Sequence, residues 1–197
     1  MRITKLEPVT KKKYRVYLND EPAFILYDSE IRDYHLREGD QCPRELREEI
    51  SSAVLSKRAK LRCMNLLKMM DRTEYQLRQK LRQEEFPEEV IDDAVAYVKS
   101  FRYVDDLRYA KTYIESRKET RSRRQMEADL IARGLSREMI GQAWEETDPV
   151  DELELIRRLA EKKHFDPDGA DEKTTRKFYQ FLQRKGFSYS NIKKALT

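Results

Sequence analysis

The spacing of apolar positions changes once along the chain, near residue 28. Before it, Tyr14-Arg15-Val16-Tyr17-Leu18 and Ala23-Phe24-Ile25-Leu26-Tyr27 are aromatic and β-branched runs on either side of Asn19-Asp20-Glu21-Pro22. That is the composition of two strands joined by a tight turn. Ile3-Thr4-Lys5-Leu6-Glu7 predicts a third strand that stops before Pro8. So small an antiparallel sheet is marginal alone and is expected to pack on the helices C-terminal to it. Lys11-Lys12-Lys13 reads as a charged strand edge that blocks sheet association.

From Asp28 onward apolar residues recur three and four apart, the period of amphipathic helices. Asp28 or Ser29 can cap a short helix ending near Gly39-Asp40. Pro43 suits the opening of a second helix that runs through Ala53 and Leu55 to Cys63, Leu66, Leu67 and Met70.

The rest of the chain repeats. Thr73…Leu77…Leu81…Phe86 recurs as Ser122…Met126…Leu130…Gly134-Leu135 and as Thr174…Phe178…Leu182…Gly186-Phe187, at offsets of 49 and 52 residues. In each copy a Ser or Thr is placed to cap a helix through its side-chain oxygen. The helix ends at Glu85, Gly134 or Gly186, and glycine suits a left-handed stop with an apolar residue folding back behind it. Pro87, Ser136 or Ser188 then opens another helix, and a further helix precedes each copy. The fold expected is mainly α: tandem three-helix, helix-turn-helix-like repeats behind a small N-terminal antiparallel hairpin or three-stranded sheet. The segments are 1–55 (hairpin and short helices), 56–104, 105–150 and 151–197 (one repeat each). Because repeats bury their cores against neighbours, 56–197 is expected to fold without the N-terminal segment.

Composition narrows the function classes. Of 197 residues, 40% are charged and only 5 are glycine, against roughly 25% charged in an average chain. Long, charge-laden helices fit this profile, and a glycine-rich phosphate loop does not. No stretch approaches the roughly 18 apolar residues of a membrane span, and no apolar segment follows Met1-Arg2-Ile3 as a secretory signal requires. Cys42 and Cys63 make no disulfide framework, so a reduced, cytoplasmic setting is expected. His35 and His164 have no metal-ligand spacing, and no metal or cofactor is expected. The net charge of +4, from 41 basic and 37 acidic residues, is no polycation. Nucleic-acid contacts would have to come from local patches.

One such patch is legible. Arg117, Lys118, Arg121, Arg123 and Arg124 place five basic residues in eight across the junction of two helices. Arg123 and Arg124 fall in the first turn of a helix, where a cation opposes the dipole. A phosphate or an acidic partner there would relieve the conflict. Lys173, Arg176 and Lys177 hold the matching place in the third repeat. The plain alternative is a solvated basic loop; if the patch binds a partner instead, reversing Arg121, Arg123 and Arg124 to Glu is expected to abolish the function while leaving the fold nearly intact. Asp105-Asp106 and Asp92-Asp93 are the paired acids a metal-dependent nuclease would need. The first pair sits at a helix start, where carboxylates cap amides, and the second has no histidine or third acid nearby. With no GxSxG, Cys–His or Walker signature, no catalytic constellation is found, and no enzyme is expected. Trp144, Tyr103, Tyr109, Phe178 and Phe181 stand at helical spacing and are assigned to core packing, with base stacking as the alternative.

Phe101-Arg-Tyr103-Val-Asp105-Asp106-Leu-Arg108-Tyr109-Ala110-Lys-Thr-Tyr113-Ile114 resembles the Asp-Asp-x-Arg-aromatic-Ala stretch that opens the second unit of the RecX family. Asp71-Arg72-Thr73-Glu74-Tyr75-Gln76-Leu77-Arg78-Gln79-Lys80-Leu81 resembles its first unit, and Arg133-Gly134-Leu135 resembles the end of a repeat's second helix. Thr73 stands where serine is usual and Gln76 where glutamate is usual, while Glu84-Glu85 replaces a glycine-containing stop. The resemblance spans about residues 56–197. It implies a non-enzymatic modulator, most simply an inhibitor, of the RecA recombinase. Such a protein would lie in the groove of the RecA–single-stranded DNA filament and restrain filament growth, ATP hydrolysis and strand exchange in recombination and the SOS response. Weak contact with single- or double-stranded DNA is compatible with it, and a monomer is expected. The rival is a helix-turn-helix transcription regulator, which would bind duplex DNA sequence-specifically as a dimer.

Overall fold

The structure, a computed structural model, describes residues 1–197. Three strands, β1 (Ile3–Thr10), β2 (Lys13–Leu18) and β3 (Glu21–Tyr27), form one antiparallel sheet in sequence order. Asn19 (φ 50°) and Asp20 (φ 69°) both take left-handed backbone between β2 and β3. That is the primed two-residue turn whose twist suits a hairpin, and short polar side chains tolerate it. Pro22 therefore lies inside β3, opposite Tyr17, where the register slips. β1 does not stop before Pro8; it continues to Thr10 with Pro8 opposite Tyr14. On this edge strand the missing N–H is tolerated. Lys11 and Lys12 form a turn and Lys13 opens the central strand, its ammonium 5.2 Å from the centre of the Tyr27 ring. The lysine run therefore guards no edge.

A short helix, α1 (Asp28–Asp33), comes next, and the Glu30 carboxylate accepts the Tyr27 N–H at 2.7 Å. Past Pro43, α2 (Arg44–Glu49), a π-helical stretch (Ile50–Ser56) and α3 (Lys57–Met69) run on without a break. The remaining helices are α4 (Glu74–Gln83), α5 (Glu88–Ser100), α6 (Asp106–Arg117), α7 (Arg123–Ala132), α8 (Arg137–Glu145), α9 (Glu152–Lys162), α10 (Glu172–Arg184) and α11 (Tyr189–Leu196).

The caps follow the repeat with one exception. Thr73 Oγ1 accepts the Gln76 N–H and Gln76 Oε1 accepts the Thr73 N–H, both at 3.2 Å. Threonine and glutamine thus make the same reciprocal box that serine and glutamate would. Ser122 caps α7 and Ser136 caps α8. Thr174 does not cap α10. Asp171 does, accepting the Thr174 N–H at 2.7 Å, so the helix begins three residues earlier than the repeat alignment implies. Hydrogen bonds from Thr174 hold the Asp171 carboxyl below its ordinary range.

The second helix of every repeat ends the same way. Glu85 (φ 58°), Gly134 (φ 86°) and Gly186 (φ 87°) take left-handed backbone. The next N–H, of Phe86, Leu135 or Phe187, then bonds back to the carbonyl of Leu81, Leu130 or Leu182, at 3.2 Å in all three. His35 (φ 51°) and His164 (φ 52°) end α1 and α9 by the same device. Glu85 does this without being glycine, and Arg15 grips its carboxylate through Nε at 2.6 Å and Nη2 at 2.5 Å. That pair ties the sheet to the end of α4.

The chain forms two compact units, Met1–Val104 and Asp105–Thr197. In the first, Val16, Phe24 and Leu26 of the sheet share one core with Cys63, Leu77, Leu81 and Val95. Cutting at residue 56 would therefore split a core, and the first repeat is not expected to fold without the sheet. The second unit has one cluster around Ala110, Ile114, Leu130 and Ile140 and another around Ile156, Phe178, Leu182 and Ile192.

Valine is strained at a left-handed stop. Chemical denaturation of Gly134→Val is expected to show a loss of about 1–3 kcal/mol; a loss under about 0.5 kcal/mol would contradict the role given to Gly134.

Candidate partner-binding surface

All eight cations singled out by the sequence lie in the second unit, but they do not form one patch. At the α6–α7 junction, three of the five are already engaged. Lys118 Nζ reaches Glu115 at 2.6 Å and Asp148 at 2.9 Å, and these hydrogen bonds raise its pKa. Arg121 pairs with Asp129, which also accepts the Tyr113 hydroxyl at 2.6 Å. Arg123 Nε donates to Glu127 at 2.8 Å, and its guanidinium lies 4.9 Å from the centre of the Trp144 ring. Arg117 and Arg124 are exposed and pair with no carboxylate.

The acid that the first turn of α7 calls for is inside the chain. Glu152 Oε1 accepts the Arg123 N–H at 2.9 Å, and its other oxygen accepts from Asn191 Nδ2 at 2.8 Å. A carboxylate at the head of α9 therefore offsets the two arginines at the head of α7, and no external phosphate is required for it.

Ser122 brings in cations that sequence reading missed. It is fully buried, and its hydroxyl donates to the Lys185 carbonyl at 2.7 Å. A Cβ placed on Gly186 would lie 2.6 Å from Ser122 Oγ and 3.4 Å from Arg124 Cβ. The end of α10 is thus seated on the start of α7, which sets exposed Arg184 and half-buried Lys185 close to Arg124. The only signal in the sequence is that the Gly186 stop must be matched to Ser122, 64 positions away. Lys173, Arg176 and Lys177 are exposed without ion-pair partners near the other end of α10. At 1.5 Å per residue they stand roughly 12–18 Å along the axis from Lys185.

The acidic pairs are structural. Asp105 caps α6 by accepting the Arg108 N–H at 2.9 Å. Asp92 binds Arg78 at 2.6 Å, while Asp93 binds Lys60 at 2.7 Å and accepts the Ser56 hydroxyl at 2.5 Å. No group of three or more His, Cys, Asp or Glu side chains is placed to hold a metal ion. Burial pushes the Cys63 thiol up to about 11 and raises Cys42 as well, which disfavours the thiolate at neutral pH. Phe178 is buried, and Tyr109, Trp144 and Phe181 are half-buried. Tyr103 departs from the core assignment: it is 47% exposed and stacks on Phe101 with centroids 5.7 Å apart. It comes just after the left-handed stop at Arg102 (φ 55°), which carries it off the end of α5. No helix is long and apolar enough to cross a membrane.

Three segments match family descriptions: residues 59–97 the first, 105–143 the second and 150–196 the third three-helix domain of RecX. The regulatory protein RecX of Caldanaerobacter subterraneus subsp. tengcongensis is 32% identical over 99% of this chain and 96% of its own. That of Clostridium acetobutylicum is 29% identical over 98% and 94%. A crystal structure of regulatory protein RecX is similar with a TM-score of 0.64 and 25% identity over 98% of both chains. The crystal structure of RecX from Lactobacillus salivarius has a TM-score of 0.64 over 73% of this chain and 95% of its own at 22% identity, a likeness of fold.

The pairing separates two arginines that sequence alone treats alike. Arg121→Glu sets a second carboxylate against Asp129 and is expected to lower the melting temperature by several degrees. Arg124→Glu should stay within about 0.5 kcal/mol of the parent. Equal effects in thermal denaturation would contradict the assigned pairing.

Proposed function

Because this chain belongs to the RecX family of regulatory proteins, we propose that it regulates the RecA recombinase and catalyses no reaction of its own. In this reading it lies as a monomer in the groove of the RecA–single-stranded DNA filament. There it restrains filament extension, ATP hydrolysis and strand exchange, in the cytoplasm, during recombination and the SOS response.

The observation that carries this reading is that, of the eight cations at the heads of α7 and α10, five have no acidic partner in the chain: Arg117, Arg124, Lys173, Arg176 and Lys177. Lys118, Arg121 and Arg123 are held by carboxylates of the chain itself, whereas these five are available to an anionic surface. Tandem repeats suit such a partner because successive units present side chains along an extended surface. The other three cations, Lys118, Arg121 and Arg123, then act at one remove, by holding the junction in shape.

The test is RecA ATP hydrolysis on single-stranded DNA with this protein titrated in. The parent chain is expected to suppress hydrolysis, and less so as salt rises, since neutralised phosphates release counterions. The variant with Arg117, Arg124, Lys173, Arg176 and Lys177 all changed to Glu is expected to need about tenfold more protein, a difference of about 1.4 kcal/mol, with its melting temperature nearly unchanged. An unaffected ATPase would overturn RecA regulation. A folded variant as potent as the parent would overturn the assignment of these five residues.

A further inference from the structure

In the third repeat, the loop joining α9 to α10 borders an open cleft of about 530 Å³, within the size range of small-ligand sites. Its apolar wall is a stack of nearly parallel rings. Phe165 and Phe178 have centroids 4.1 Å apart at 16°, and Phe178 and Phe181 have centroids 5.8 Å apart at 27°. Phe178 is a core residue at 8% exposed, but Phe165 and Phe181 are only half-buried. Its cations are Lys163 and Lys177, both lining the cavity. The Lys163 and Lys185 ammonium groups each lie 5.7 Å from the centre of the Phe181 ring. None of these three lysines forms an ion pair with a carboxylate. The one carboxylate in the lining, Asp166, is turned to its own loop, where Oδ1 accepts the Asp168 N–H at 3.1 Å.

Core packing accounts for the three rings, since Phe165 and Phe181 rest against the cluster that holds Phe178, but leaves unexplained the open cleft beside them and the unpaired ammonium groups that line it. Parallel rings favour another flat ring laid against them, and ammonium groups favour phosphate. A nucleotide carries both groups in one unit. Its base can reach the rings only when it is not paired in a duplex. An acidic peptide would satisfy the lysines but would draw no particular benefit from a parallel stack.

We propose that this α9–α10 cleft holds one nucleotide of single-stranded DNA, with the base on the open side of the Phe165–Phe178–Phe181 wall and the phosphates on Lys163 and Lys177. The site would act without RecA and shares only Lys177 with the filament reading, so a test on the chain alone keeps the two apart. The test uses the full chain alone, with fluorescence anisotropy on a labelled oligothymidylate, an abasic strand of equal length and an A·T duplex. The parent is expected to prefer oligothymidylate over the abasic strand by about fivefold or more, the scale of one stacked base. Lys177→Glu should weaken that binding by about fivefold or more, whereas Lys194→Glu, equally exposed but outside the cleft, should change it less than about twofold. Phe165→Leu should erase the preference over the abasic strand, which loss of charge alone would not do. Phe181→Leu serves the same purpose if Phe165→Leu melts early. Equal binding to thymidylate and abasic strands would overturn the proposal. So would equal losses for Lys177→Glu and Lys194→Glu, tighter binding to the duplex, or displacement of the strand by a glutamate-rich peptide bearing phenylalanine. Absence of measurable binding would also overturn it.

Discussion

A helix that must be succeeded at once by another, packed on the same core, needs one residue at its end with positive φ. That constraint recurs at Glu85, Gly134 and Gly186, and the geometry of each repeat descends from it. The left-handed residue turns the next N–H back to the last helical turn and carries an apolar residue, Phe86, Leu135 or Phe187, toward the core. The third helix then starts within two residues. Gly186 carries a second demand: Ser122 Oγ occupies the space where its Cβ would lie. Alanine there would be both strained and crowded. At Glu85 the strain of a non-glycine residue is offset by the bidentate hold of Arg15, and the side chain that glycine lacks becomes the tie between sheet and helix.

At the α6–α7 junction much of the positive charge is internal structure. Lys118, Arg121 and Arg123 look like the heart of a binding patch in one dimension, and each is matched in three dimensions by Asp148, Asp129 or Glu127. The conflict between two arginines and the dipole of α7 is met by Glu152, from the helix that opens the next repeat. The cations left for a partner are a sparser set, Arg117 and Arg124 at one place and Lys173, Arg176 and Lys177 at another.

Features governed by local rules were legible in the sequence. The hairpin at Asn19-Asp20, the serine caps and the two glycine stops each depend on a few adjacent residues, and they lie where the pattern put them. Features set by distant partners were not. Thr174 has the right identity for a cap, but Asp171, a carboxylate three residues earlier, takes the position. Pro8 reads as a strand end until β1 is known to be an edge strand. That the sheet must pack on the helices after it follows from its size, but nothing local reveals that Val16 and Leu81 share a core. Among the candidate binding residues the sequence supplied the cations, and carboxylates 3 to 30 positions away decided which of them were already engaged.

If its unpaired cations hold this chain to the RecA filament, the two sediment together. RecA is assembled on single-stranded DNA with a non-hydrolysable ATP analogue and pelleted in the presence of this protein over a series of salt concentrations. The chain is expected to pellet with the filament at low salt and to be released progressively as salt rises. A chain that stays in the supernatant at every salt concentration, while the filaments themselves pellet, would contradict the claim.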